Sequence, residues 1–348
     1  MNAELGIREI RAQAQRFASA GAWTDAGALL LVHAARIRAH PETAALLAES
    51  LVRTGRAREA RDWLAGVMPA IEASEDRASL RRATVLNGAA HFALGELDVA
   101  RRGFNDAMEL ARADGDDALV ARAMSNLGAI ANIEGDRSGA LALYHLAISA
   151  HQRLGNTRGL AECFHNMAIT LRDLGRLQEA DELEQRCVEF ARDAGQPLLV
   201  SIARLGRAEL ALRRGDASFA EATAWRAATE FAAAGEPVRE GEAHRLAGVA
   251  CTLNGKYREA RVLLDFAVER ARQHGAVLHE AEALRSRAEL HAAAYDPRST
   301  LDGRRAALDD ARAALGLFGQ LRATDESAAL LRWIEALPLD RDDGRDGG

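Results

Sequence analysis

Apolar residues along this chain recur at intervals of three and four, the spacing that gathers them on one side of an α-helix, without the strict alternation of a half-buried strand. Residues 117–134, DALVARAMSNLGAIANIE, and 138–154, SGALALYHLAISAHQRL, show this clearly. Each such run ends near a glycine. Gly55, Gly95, Gly135, Gly175, Gly215 and Gly255 stand forty residues apart, with Gly21 thirty-four before the first, and Gly115, Gly155, Gly195, Gly235 and Gly275 fall midway. Glycine tolerates the left-handed backbone that commonly ends a helix, so the spacing predicts one helix per twenty residues and a two-helix repeat.

Proline and side-chain size support this. Pro41, Pro197, Pro237 and Pro297 fall at inferred helix starts or turns, where a missing N–H costs little, and Pro338 follows the last run. Pro69 lies inside a run and predicts a kink or break, making 66–78 the least regular junction. Five residues after each glycine of the first series comes alanine (Ala26, Ala60, Ala100, Ala140, Ala180, Ala220, Ala260), and seven before it another small residue (Ala14, Ala48, Gly88, Gly128, Ala168, Ala208, Gly248). Such residues let facing helices approach closely. Larger side chains nine after the glycine, among them Leu64, Phe104, Tyr144 and Leu264, are expected to fill the space between hairpins. The predicted fold is all-α, a right-handed solenoid of seven to eight antiparallel hairpins.

The segments LGAIANIEGDRSGALALYHLAI (127–148) and MAITLRDLGRLQEADELEQRCV (167–188) carry the small, glycine and alanine positions in the order of the tetratricopeptide repeat, which the chain resembles over about 7–335. The period exceeds that family's usual one and is similar to the extended repeats of kinesin light chains, Pins-type spindle adaptors and the sensor regions of bacterial regulators like the maltose activator. Length alone suggested two or three domains. The repeats instead predict one array over 1–337, divided at about 7–40, 41–80, 81–120, 121–160, 161–200, 201–240 and 241–280, with a degenerate unit at 281–320. TDESAALLRWIEAL supplies a capping helix at 324–336, and 338–348 reads as a disordered acidic tail.

Composition narrows the function classes. Aromatics are only 5% against 48% hydrophobic residues, consistent with an alanine-rich helical core. A net charge of −6 argues against direct nucleic-acid binding, and no apolar run is long enough for a membrane span. Cys163, Cys187 and Cys251 are too scattered for a disulfide framework or zinc site, and a cytoplasmic location is expected. HEAEALRSRAELH (279–291) has Ala283 where a zinc-binding helix needs its second histidine, and no phosphate loop or nucleophile elbow occurs. No catalytic site, cofactor or metal is expected.

Interaction chemistry is expected instead. The family resemblance implies that the first helix of each pair lines a concave groove. Arg82, Phe92, Arg122, Asn126, Asn132, His165, Asn166 and Arg172, with Glu162 and Asp173, then form a polar, partly basic middle, while Ile202, Leu205, Leu212, Leu246, Val249 and Leu253 make a more apolar C-terminal half. Asn126 and Asn166, one repeat apart, can each donate to and accept from an extended peptide backbone; alternatively they bond neighbouring helices. They resemble the groove asparagines of peptide-binding members, and Arg122 resembles a basic residue of that family's carboxylate clamp, although Ile202 and Gly206 stand where two further basic residues belong. Arg82, Arg122 and Arg172 could hold carboxylates, or pair with Glu162 or Asp173 on the surface. His165 is expected to be a packing histidine. The expected function is an adaptor or scaffold binding an extended peptide or helix of a partner protein. The alternative is a regulatory receptor whose superhelix binds a small molecule or signalling peptide and controls an effector.

Overall fold

The computed structural model describes residues 6–294 and 302–337; Pro297, Pro338 and the tail 338–348 lie outside the described residues. Among the described residues there are 18 helices and no strands. α1 (Ile7–Ser19) pairs with α2 (Trp23–Val32), followed by the short α3 (Ala34–Ile37). The later pairs are α4 (Pro41–Arg53) with α5 (Ala57–Glu72), α6 (Arg77–Ala93) with α7 (Leu97–Ala113), and α8 (Asp117–Ile133) with α9 (Arg137–Arg153). They continue with α10 (Thr157–Asp173) and α11 (Leu177–Asp193), α12 (Pro197–Arg213) and α13 (Ala217–Ala234), and α14 (Pro237–Leu253) and α15 (Tyr257–His274). α16 (Val277–Ala293) pairs with α17 (Asp302–Gln320), and α18 (Thr324–Ala336) packs on α17.

All twelve glycines of the two series have positive φ. At Gly95, for example, its own N–H reaches the Phe92 carbonyl and the Glu96 N–H reaches that of His91, which satisfies the last turn of α6. New helices start on two devices. Asp76, Asp116, Asp136, Asn156 and Asp216 each accept from the backbone N–H three residues on at 2.8–3.0 Å, and Pro41, Pro197 and Pro237 occupy the first turns of their helices. Pro69 does not break its helix: α5 runs through it to Glu72. Pro69 lies within the last turn, so the lost hydrogen bond falls where the ladder is already ending.

The seven alanines after the loop glycines are all fully buried. The large residues nine after the glycine pack against the small residue of their own pair, and Tyr144 also shares a cluster with residues of α10 in the next pair. A Cβ on Gly88 would lie 2.8 Å from the Phe104 ring, one on Gly128 2.8 Å from the Tyr144 ring, and one on Gly248 2.7 Å from Leu264. In these three pairs glycine makes room for the large side chain; at the corresponding positions of the second pair, Ala48 and Leu64 are both fully buried.

The array also closes on itself. Each of the first four loops meets a chain segment five pairs further on: Thr24 meets Gly235, Gly55 meets Val238, Arg58 meets Gly275, Gly95 meets Val277 and Leu321, and Gly135 meets Thr324. One hydrophobic cluster accordingly joins residues of α4–α8 to residues of α15–α18. Ion pairs seal the contact, with Arg137 facing Asp325 and Glu326 and Arg322 facing Asp98 and Glu134.

Candidate functional site

First helices of successive pairs lie side by side, and their polar side chains meet on the inside of the curve. Arg172 on α10 and Arg245 on α14 both reach Glu209 on α12, and Arg245 also reaches Glu282 on α16, so polar side chains of four successive first helices converge in one layer. A polar ladder crosses it. Asn132 Nδ2 on α8 donates to Asp173 at 3.2 Å; Asp173 also accepts from Arg172 at 2.9 and 3.1 Å, and Arg172 donates to Glu209 on α12. Arg245 on α14 stands 3.6 Å from Glu209, 2.7 Å from Glu242 and 3.7 Å from Glu282.

Burial governs the energetics of this ladder. Arg245 is only 4% exposed. Desolvation pulls the Arg172 and Arg245 guanidiniums down, but the surrounding carboxylates outweigh it and both are held above their ordinary range. Burial pushes Glu242 up; Arg245 and His279 more than reverse this, whereas Glu282 stays raised. Such a network contributes little net stability relative to apolar packing, but removing one partner strands the others.

Of the expected apolar C-terminal wall, Leu253 is exposed and Ile202 and Leu212 are partly buried against the core. Leu205 and Leu246 are buried in the core with Ala243 and Ala247, while Glu209, Glu242 and Glu282 meet Arg245 in the polar layer. The helical spacing that selected the leucines also selects Glu209, Glu242 and Arg245, and which of these turns inward depends on how the pairs rotate against each other.

The N-terminal half forms a second cluster. Burial pushes Glu49 up, but Arg53 and Arg82, both hydrogen-bonded to it, hold it at about 2. Arg158 pairs with Glu162 at 2.9 Å. Between them lies Arg122 on α8. Burial pulls its guanidinium down, Glu49 and Glu162 counteract this, and Arg53 and Arg158 add to it. Among the described residues Arg122 makes no hydrogen bond and no ion pair within 4 Å, and Asn126, one turn further along α8, makes no side-chain hydrogen bond.

The other residues singled out from the sequence are engaged within the protein. Asn166 Nδ2 donates to Ser125 on α8 at 3.2 Å, Asn132 and Arg172 belong to the ladder, and Arg82 belongs to Glu49. Phe92 packs, partly buried, against the core. His165 Nδ1 lies 2.9 and 3.1 Å from the two oxygens of Glu184 on α11. Glu184 occupies the position nine after the loop glycine that holds Leu64, Phe104, Tyr144 or Leu264 elsewhere, and burial raises its carboxyl despite His165 and Arg172. Gly206 makes this carboxylate fit, since a Cβ there would collide with it. Sequence spacing marked Gly206 as a missing basic residue; the structure shows it as the space Glu184 needs.

Residues 119–193 match the family model of the tetratricopeptide repeat. The chain thus contains tetratricopeptide repeats. No curated protein matches it in sequence. Among solved structures, the Rap protein complexed with Competence and Sporulation Factor superposes with a TM-score of 0.58 at 15% identity, over 94% of this chain and 96% of its own. NprR in complex with its cognate peptide NprX superposes with a TM-score of 0.57 at 13% identity, over 85% and 86%. Aspartyl phosphate phosphatase F from Bacillus subtilis gives 0.52 at 12% identity, over 97% and 96%. At these identities the likeness is one of fold. Among the described residues of this tetratricopeptide-repeat protein, no helix is long and apolar enough to cross a membrane and no cluster of His, Cys, Asp and Glu could hold a metal ion.

Proposed function

We propose that this tetratricopeptide-repeat protein binds an extended peptide of a partner on the inner face of α8 and its neighbours, with Arg122 and Asn126 as the anchors. The observation that carries this is their unmet hydrogen-bonding capacity in a layer where Arg82, Asn132, Asn166 and Arg172 are already engaged. A partly desolvated guanidinium pressed by Arg53 and Arg158 gains from an incoming carboxylate, and the adjacent amide can both donate to and accept from a peptide unit. NprR, of similar fold, is known with a cognate peptide bound, which supports the same use of this architecture.

Panning a random peptide library against the full chain supplies a probe, and titration with the recovered peptides tests the site. Arg122→Ala and Asn126→Ala should each weaken binding by about tenfold or more, the worth of a hydrogen bond involving a charged or buried group, without lowering stability. Asn132→Ala should instead perturb the ladder. Equal affinity in both anchor variants contradicts the assignment.

The closure of the array favours a second reading, that of a regulatory receptor. Loops of the first four pairs rest on segments five pairs later, so a ligand that moves the first-helix layer also strains the contact at Arg137 and Arg322. Peptide-dependent change in the radius of gyration supports this; an unchanged radius with peptide bound favours a rigid adaptor.

A further inference from the structure

Among the described residues, the contact that closes the array leaves two edges with nothing seated on them. Loops within pairs at Gly55, Gly95 and Gly135 are covered by segments five pairs later, whereas those at Gly175, Gly215 and Gly255 meet no other residue within 4 Å of a Cβ position. Junctions between pairs at Gly235 and Gly275 serve as the covering side, whereas at Gly115, Gly155 and Gly195 no described residue comes within 4 Å of a Cβ position. Leu94 and Leu174 make the difference plain. Each stands one residue before its loop glycine, yet Leu94 is 6% exposed and Leu174 45%.

The uncovered loop edge is apolar where the covered one is. Phe219, Leu253 and Tyr257 lie exposed along it with Leu174, and a hollow of about 420 Å³ opens between the Gly175 loop and Arg214. Leu154 is exposed on the uncovered junction edge. Exposed charges of both signs stand on each edge, Arg176, Glu179, Arg214, Asp216 and Lys256 on the loop side and Arg112, Asp117, Arg153, Arg192 and Asp193 on the junction side. Within the protein the same kind of edge already pairs Arg137 on a loop with Asp325 and Glu326 on the covering segment.

We propose that the loop edge at Gly175, Gly215 and Gly255 docks on the junction edge at Gly115, Gly155 and Gly195 of a second copy of this chain, repeating between molecules the contact that closes each one. The two patches are different surfaces of one chain, so the association is heterologous and adds further copies at either end.

Sedimentation velocity of the full chain over a hundredfold concentration range tests this. The mean mass should rise with concentration. Phe219→Asp with Leu253→Asp removes the loop edge, and Leu154→Asp with Asp117→Arg removes the junction edge; all four residues are exposed, so folding is spared. Each double variant alone should lose at least tenfold in association, and an equimolar mixture should recover it but stop at a dimer, because each variant retains the face the other needs. A monomeric wild type over the whole range, association that persists in either variant, or a mixture that does not associate overturns the proposal.

Discussion

The reciprocal fit of small and large residues within each pair makes a quantitative prediction at Gly88. Alanine is preferred over glycine by about 1 kcal/mol in a helix interior, so Gly88→Ala in α6 would stabilise if space allowed. Its Cβ, however, would lie 2.8 and 2.9 Å from two Phe104 ring atoms and 3.3 Å from the Ala100 carbonyl oxygen. Carbon contacts prefer about 3.5–4.0 Å. The ring is fully buried and must be displaced by more than half an ångström, and overpacking of this kind costs about 1–3 kcal/mol. The net expectation is a loss of about 0–2 kcal/mol. Phe104→Leu alone loses packing, at about 1–2 kcal/mol as part of the larger cost of a full truncation. Together the two changes recreate the alanine and leucine that Ala48 and Leu64 already form without any exposure. In the Phe104→Leu background Gly88→Ala should therefore be stabilising, with a coupling of about 1–3 kcal/mol. Repeat arrays need not unfold as one unit, so the cycle is best measured by amide hydrogen exchange within α6 and α7. Single-variant effects that sum to the double variant within about 0.5 kcal/mol, or Gly88→Ala stabilising the wild type, would refute the packing argument.

Further predictions concern charge and backbone. Burial raises the Glu236 carboxyl to about 7 against Arg239 and Arg53, so the folded state holds this proton more tightly than the unfolded chain and stability should fall as pH rises from about 4.5 to 7. Glu236→Gln should flatten that fall in denaturation curves taken across the window, and an unchanged slope contradicts the assignment. Arg322 has φ 54°, a conformation costing about 1–2 kcal/mol outside glycine, while its more than half-exposed ion pairs contribute about 0–1 kcal/mol; Arg322→Gly should leave the melting temperature level or higher. A clear drop would show that the closing contact depends on this arginine. Gly206→Ala should cost about 2–4 kcal/mol by driving Glu184 off His165, whereas Gly316→Ala in α17, with no described atom near its Cβ position, should gain about 1 kcal/mol; equal effects in chemical denaturation would count against the buried pair.

The helices, their glycine ends and the alanine contacts were legible because each is fixed by residues within one forty-residue unit. Gly95 needs only its neighbours to adopt a left-handed turn, and Ala100 only its partner helix. Contacts that depend on the accumulated rotation of several pairs left no such mark. Val238 and Leu321 read as ordinary helix residues, yet they cover Gly55 and Gly95 because five successive pairs bring them back to the loops. The polar layer shows the same division. Spacing singles out Arg172 and Asn132, but Glu209 and Glu282 reach the ladder's arginines from other pairs, and Glu242 pairs with Arg245 on its own helix. Glu184 did leave a trace, as the one charged residue at a position otherwise held by Leu, Phe, Tyr or Ala; Gly206, the space that accommodates it, lies twenty-two residues away on the next pair.

Hydrogen exchange of the full chain with and without a library-selected peptide puts the inner-face anchors to the strongest test. Peptide contact at Arg122 and Asn126 should slow exchange in α8 and in the adjoining first helices α6 and α10, and Arg122→Ala with Asn126→Ala should abolish that protection. Protection confined to the outer helices α7, α9 and α11, or protection of α8 that survives in the double variant, would place the ligand elsewhere.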